Sequence, residues 1–268
     1  MPALVAFTRA VPRSIARCEL THLARSPIDY ARAVAEHDVY EDALRRAGCE
    51  IRRLPDAPDF PDSVFVEDTA VVFEEIAVIA RPGAESRRGE VDAMAAALAP
   101  HRALRFIDAP GTLDGGDVLV TPGRVFVGIS GRTNADAARQ LRAHLAPFGF
   151  EVVDVPVGGC LHLKSAVTAV GQPGLQPDRG CLVINSNWVD PGHFSAFERI
   201  EVDPGEPAAA NVLAVNDFVI AAAEHRRTRA RLQARGFTVL PVPAGELAKA
   251  EGGVTCCSVL VRGSSLQK

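Results

Sequence analysis

The sequence predicts an α/β fold: a five-bladed α/β-propeller of ββαβ modules with pseudo-five-fold symmetry. Three observations carry this expectation. Five segments each place a chemically useful residue near the start of an apolar, strand-like run: Asp68 in VFVEDTAVVFEE, Asp114 in TLDGGDVLV, His162 in CLHLKSAVTAV, Asn211 in AANVLAVNDFVIAAA and Cys256 in GGVTCCSVLV. Their spacing is nearly constant, with steps of 46, 48, 49 and 45 residues between positions 68, 114, 162, 211 and 256. Such a period signals a repeat built from one supersecondary unit. The fifth copy lacks a following helix, and the N-terminal strand and helix supply it. A ring closed this way leaves no module with a bare sheet edge.

The elements follow in order. ALVAFTR reads as the first strand, and residues 12–26 form a loop placed to act as a lid. A helix is expected over 27–47, with Ser26 as N-cap, Pro27 at the first helical position and Gly48 beyond the end. In the first copy, VFVEDTAVVFEE and IAVIARP are strands, and a helix over 86–98 is expected with Ser86 as N-cap and Pro100 closing it. The second copy pairs DVLV with RVFVGIS through Pro122-Gly123, a hairpin signal. Thr133 is expected to cap the helix that follows, to about Leu145. The third copy, LHLKSAVTAVG and CLVINSN, has Pro173, Pro177 and Gly180 in its connection. The fourth turns at Asn216-Asp217 and continues through an Arg-rich helix into FTVLPV. No linker or low-complexity stretch interrupts the pattern, so one domain over 1–268 is expected, without an assigned role for 171–206.

Composition narrows the function. With 47% hydrophobic residues in 268, the chain buries a full core. A formal net charge of −4 leaves no basic surplus for nucleic acid or an anionic membrane. The run Arg226, Arg227, Arg229, Arg231 and Arg235 reads as a solvated helix face. No apolar run reaches membrane-spanning length and no signal peptide is read at the start, so a cytoplasmic protein is expected. The six cysteines lack zinc-type spacing and are expected to be reduced thiols.

Cys256 is the best nucleophile. Gly252 and Gly253 let backbone approach a ligand closely, and a thiol attacks only when a cation or base stabilises its thiolate. Cys257 should face away by strand alternation. His162, between two leucines, is by itself an ordinary structural residue, but its register with Asp114 and Cys256 marks it as an acid–base group. Asp114 and Asp117 flank Gly115-Gly116, where aspartates commonly serve a turn. Glu67 and Asp68 are consecutive carboxylates in an apolar stretch, costly unless paired or binding a cation. Carboxylates converging on a thiol and an imidazole imply a cationic substrate, and a planar guanidinium meets that demand.

At this point DSVFVEDTA, ARPGAESRR, TLDGGDVL, VGISGRTN, LHLKS and GGVTCCSVL together resemble the dimethylarginine dimethylaminohydrolase family, within the guanidine-modifying superfamily. The motifs run in order from residue 62 to 261. The resemblance implies a five-bladed propeller and hydrolysis of methylated arginine to citrulline and a methylamine, with no cofactor and no metal. It implies Cys256 as nucleophile, His162 as acid then base, and Asp114 as its orienting partner. Asp68 and Glu67 would hold the guanidinium, and Arg87 and Arg132 the substrate carboxylate. Asp62 and the carbonyls of Leu20 and Ala250 would receive the α-amino group. Ala250 is smaller than the apolar residue common there, and the lid SIARCELTHLAR diverges most. The partner implied is a small cationic amino acid, and an exposed propeller edge leaves room for a homodimer.

Two other readings compete. An arginine deiminase or amidinotransferase would share the scaffold, but those relatives are longer and their cysteine motifs differ. A non-catalytic propeller binding a cationic amino acid would not need the thiol. A metal held by His162, Cys256 and a carboxylate lacks a closed ligand set.

Overall fold

The computed structural model describes residues 4–171 and 180–263. In chain order it contains β1 (Leu4–Thr8), α1 (Tyr30–Arg46), β2 (Cys49–Arg53), β3 (Ala70–Val72), β4 (Ile76–Ile79), α2 (Val91–Leu98), β5 (Ala103–Phe106), β6 (Val118–Thr121), β7 (Arg124–Ile129), α3 (Ala135–Leu145) and β8 (Glu151–Pro156). The chain continues through α4 (Leu163–Ala166), β9 (Val167–Val170), β10 (Cys181–Ile184), β11 (Glu198–Glu201), β12 (Val212–Val215), β13 (Phe218–Ala222), α5 (Arg226–Ala234), β14 (Thr238–Val242), α6 (Gly245–Ala248) and β15 (Val259–Arg262).

The strands form five three-stranded sheets of one design. In each, the first strand pairs antiparallel with the second, and the third joins parallel to the second after a crossover. The last sheet mixes the ends of the chain: β15 pairs antiparallel with β1, with Phe7 opposite Val259, and β2 joins β1 parallel. The middle strands are buried on both faces, which is why IAVI, CLVI and VFV are continuous apolar runs rather than alternating ones. The helices cover the outer faces. In α3, Ala137, Ala138, Leu141 and Leu145 form a single stripe with no exposure. The first strands of all five sheets line one cavity of about 300 Å³, with residues such as Val71, Leu119, Ala169, Leu213 and Leu260 in its wall.

Several caps differ from the sequence expectation, each for a tertiary reason. α1 begins at Tyr30, capped by Asp29, because Lys249 Nζ takes the Pro27 carbonyl and Glu246 Oε2 takes the Asp29 N–H, holding 27–29 outside the helix. The 86–98 helix splits into a 3₁₀ turn, Glu85–Glu90, followed by α2, and Ser86 Oγ donates to Glu19 of the loop opposite. Asn134, not Thr133, caps α3, its Oδ1 accepting the Ala137 N–H at 3.0 Å. The third copy has a 3₁₀ turn, Pro191–Phe194, where the others carry a helix. Pro173 and Pro177 lie outside the described residues. No described helix is long and apolar enough to cross a membrane.

Candidate active site

Each reactive residue of the repeat sits on a tight turn just ahead of the first strand of its sheet. Glu67 and Asp68 lie in the 3₁₀ turn Val66–Thr69 before β3. Asp114 caps the turn Gly115–Asp117 before β6, and His162 caps α4 before β9. Asn211 closes Pro207–Ala210 before β12, and Cys256 lies in the turn before β15. This corrects the expectation that Glu67-Asp68 and His162 are in strands. Strand alternation would send Glu67 and Asp68 to opposite faces, whereas a turn lets both carboxylates reach one centre. The turns pack so closely that a Cβ on Gly115 would stand 2.1 Å from the Glu67 carbonyl oxygen.

His162 is buried between two carboxylates. Its Nε2 is 3.0 Å from Asp114 Oδ2 and its Nδ1 is 3.7 Å from Asp68 Oδ1. Burial works against the imidazolium, but Asp68 first and then the Asp114 bond outweigh it and lift His162 to about 9. Asp114 is itself fixed: its Oδ1 accepts the Gly83 N–H at 2.9 Å and its N–H donates to Thr133 Oγ1 at 3.1 Å. Thr133 therefore serves the site rather than the helix. Asp117 accepts the Leu163 N–H at 2.8 Å and the Ser130 hydroxyl at 2.6 Å, anchoring the turn that presents His162. Burial raises this carboxyl to about 6.

Cys256 Sγ accepts the Gly253 N–H at 3.3 Å, and its carbonyl accepts the Glu67 N–H at 3.0 Å. Burial, then Glu67 and Asp68, push the thiol up to about 12. Glu67 bridges Lys164 Nζ and the Thr255 hydroxyl, both at 2.7 Å. Asn211 holds the turn of Cys256 from the other side, its Oδ1 accepting the Thr255 N–H and its Nδ2 donating to Thr255 Oγ1 and the Lys164 carbonyl. The repeat spacing singled out Asn211, but it offered no role. Lys164 and Thr255 stood in the motifs without assignment, and no periodicity marks such partners.

The remaining candidates surround this centre. Asp68 Oδ2 accepts from Arg87 Nη1 at 2.6 Å and its Oδ1 accepts the Gly116 N–H at 3.0 Å. Although burial opposes it, His162 and Arg87 hold this carboxyl below its ordinary range. Arg87 is buried and engaged at every nitrogen, bonding Glu90, Asp68 and the carbonyls of Phe65 and Asp62. Glu90 was not singled out in the sequence. Arg132 Nη2 donates to Thr21 Oγ1 of the lid at 3.2 Å, and its Nη1 lies 3.9 Å from Asp114. Asp62 is buried, accepts the Glu19 N–H at 3.1 Å, and is raised by burial. Leu20 is half-buried and Ala250 buried, both packed into the cluster that carries Cys256. Among the described residues, the one His/Cys/Asp/Glu cluster with metal-ligand geometry is Asp68, Asp114 and His162. Arg87 and Gly116 already occupy Asp68 there.

The chain resembles known proteins over nearly its whole length. Residues 23–173 match the family model described as N,N dimethylarginine dimethylhydrolase, eukaryotic. A Streptomyces coelicolor N(G),N(G)-dimethylarginine dimethylaminohydrolase is 41% identical over 263 residues, covering 98% of each chain. The Pseudomonas aeruginosa protein of the same name is 36% identical over 94% of this chain and 99% of its own. The structure superposes on that of the Pseudomonas aeruginosa enzyme, a cysteine-to-serine mutant complexed with citrulline, with a TM-score of 0.88 at 34% identity, covering 97% of this chain and 99% of that one. The chain belongs to the dimethylarginine dimethylaminohydrolase family.

Proposed function

We propose that the protein hydrolyses Nω-methylated arginines, asymmetric dimethylarginine and monomethylarginine, to citrulline and dimethylamine or methylamine. The observation that carries this reading is the Asp68 carboxylate, which acts on both the Cys256 thiol and the His162 imidazole. Burial and the field of Glu67 and Asp68 keep the thiol protonated. A substrate cation set against these carboxylates offsets their field and adds a positive charge beside the sulfur, so the thiolate forms as the guanidinium docks and the thiol proton leaves to solvent. Sγ then attacks the guanidinium carbon. His162, already an imidazolium near neutrality, gives its proton to the departing amine, leaving a thiouronium on Cys256. The now neutral His162, oriented by Asp114, takes one proton from the attacking water, and the tetrahedral adduct collapses with loss of its remaining hydroxyl proton to solvent, releasing citrulline and the thiolate.

Asp62 with the carbonyls of Leu20 and Ala250 receives the α-amino group, and Arg132 with Arg87 the carboxylate. Arg132 takes the larger share, since each nitrogen of Arg87 is already engaged. The five sheets form a closed five-bladed propeller and a single domain over 1–268. The shared cavity between all five first strands and the pairing of β15 with β1 support this. The test is release of citrulline and dimethylamine from asymmetric dimethylarginine, with arginine in parallel, by wild type and Cys256→Ser. Turnover of the methylated substrate alone, lost in Cys256→Ser, is the expected outcome. Turnover of arginine alone would move the protein to deiminase chemistry.

A further inference from the structure

One side chain that the mechanism does not use fastens three successive amides of the lid. Glu251 reaches back to three successive lid amides: Oε1 accepts from Thr21 at 3.1 Å, His22 at 2.5 Å and Leu23 at 2.6 Å, and Oε2 accepts from Thr21 at 3.0 Å. Three backbone N–H groups converging on one carboxylate are a nest of the kind that binds anions. Here the anion is built into the chain. Charge-assisted bonds of this sort are the strong class.

The backbone at Glu251 points the same way. Its φ is +57, in the left-handed region, where a glutamate is disfavoured and glycine or asparagine is the ordinary choice. Gly252 and Gly253 follow immediately, so a glycine at 251 would relieve strain without disturbing a turn already rich in them. A strained non-glycine residue whose carboxylate makes four contacts to a loop more than two hundred residues away in sequence is held there for those contacts.

The position of the latch decides what it governs. Leu20 immediately precedes the three latched amides, and Ala250 immediately precedes Glu251. Among the described residues no hydrogen bond ends on the carbonyl of Leu20 or of Ala250. The Glu251 side chain thus ties the peptide after one carbonyl to the residue after the other and sets the distance between them. Asp62 completes the arrangement from the facing side, accepting the Glu19 N–H one residue before Leu20.

Resting on the methylarginine reading above, we propose that Glu251 is a positioning residue for substrate selection. It fastens the lid so that the Leu20 and Ala250 carbonyls stand as a paired acceptor for a primary ammonium, and it makes the enzyme demand a free α-amino group. It touches neither the guanidinium nor the reacting sulfur.

The experiment compares wild type, Glu251→Gly and Glu251→Gln on asymmetric dimethylarginine and on its analogue lacking the α-amino group, 5-(dimethylguanidino)pentanoate. Glu251→Gly is the main variant because glycine suits this φ and the fold is retained, which a thermal melt checks directly. The expected result is a KM for dimethylarginine raised roughly tenfold in Glu251→Gly with kcat changed less than about threefold. The wild-type preference for the amino-bearing substrate falls by a similar factor, and Glu251→Gln, which keeps one acceptor oxygen, lies between. Trypsin cuts the lid after Arg17 or Arg25 faster in Glu251→Gly than in wild type. An unchanged substrate preference in a folded Glu251→Gly, with dimethylarginine still turned over by wild type, overturns the role of Glu251. No turnover of dimethylarginine by wild type overturns the hydrolase reading and the selection role with it.

Discussion

Cys256 rests as a neutral thiol and His162 as a cation, so this differs from a preformed thiolate–imidazolium pair at the sulfur alone. Burial first, and then the charges of Glu67 and Asp68, raise the thiol, while Asp68 and the Asp114 bond raise the imidazole against its own burial. Alkylation of Cys256 by a neutral reagent is therefore slow at pH 7 in the free enzyme, and a guanidinium ligand too short to react accelerates it. A rate that falls on adding such a ligand counts against the substrate as the source of activation. His162 must carry a proton into the first step, so kcat/KM declines on the alkaline side as pH passes about 9. The same shift enters stability with a definite sign. The folded value lies above the unfolded value of ~6.5, so the contribution is complete below that pH and is lost as pH rises through about 9. The stability advantage of wild type over His162→Gln accordingly narrows by about 3 kcal/mol across that window, by urea titration at fixed pH values. Asp114→Asn keeps the shape but removes the charged acceptor that orients His162 at Nε2, and kcat falls by roughly 10²–10⁴-fold with KM little changed.

At the level of single elements, the turn ahead of each first strand is the unit that presents the candidate site residues. Apolar patterning made the strands legible because each middle strand is buried on both faces and each hairpin turn bears its own signal, as at Gly123 and Asn216, both with positive φ. The repeat also located Asp68, Asp114, His162, Asn211 and Cys256, because all five occupy the same place in the module. What the sequence could not show was the local path. Nothing in VFVEDTAVV announces a 3₁₀ turn, since that turn is stabilised by Cys256, Gly116 and Arg87, all distant in sequence. The same holds for the helix caps, where Lys249 and Glu246 moved the start of α1 and Asp114 claimed Thr133. Close packing of these turns makes a sharp prediction. Gly115→Ala places a methyl 2.1 Å from the Glu67 carbonyl oxygen, backbone that cannot swing aside. It costs roughly 1–3 kcal/mol by denaturant unfolding and lowers kcat by displacing the Asp114 and Glu67 turns together. Gly123→Ala, with open space around it, leaves kcat unchanged and alters stability alone.

At the scale of the molecule, β1 is the middle strand of a sheet whose other members come from the far end of the chain and from beyond the lid. Ala6→Pro removes a donor at a fully buried position between β2 and β15 and costs about 3 kcal/mol or more. Trp188, the single tryptophan, lies near the third sheet. In one cooperative ring its fluorescence transition shifts with the far-ultraviolet signal and to the same midpoint. Separate transitions would mean that the sheets unfold in independent groups. The proposed chemistry turns on one bond, from Cys256, which carboxylates and an imidazole from three other sheets approach, to the guanidinium carbon. The most direct measurement is acid quenching during turnover of asymmetric dimethylarginine, followed by peptide mass spectrometry. An adduct that has lost dimethylamine, on the peptide holding Cys256 and Cys257 and absent in Cys256→Ser but present in Cys257→Ser, is the result predicted. Citrulline formed at full rate by Cys256→Ser, or an adduct that persists in that variant, would contradict it.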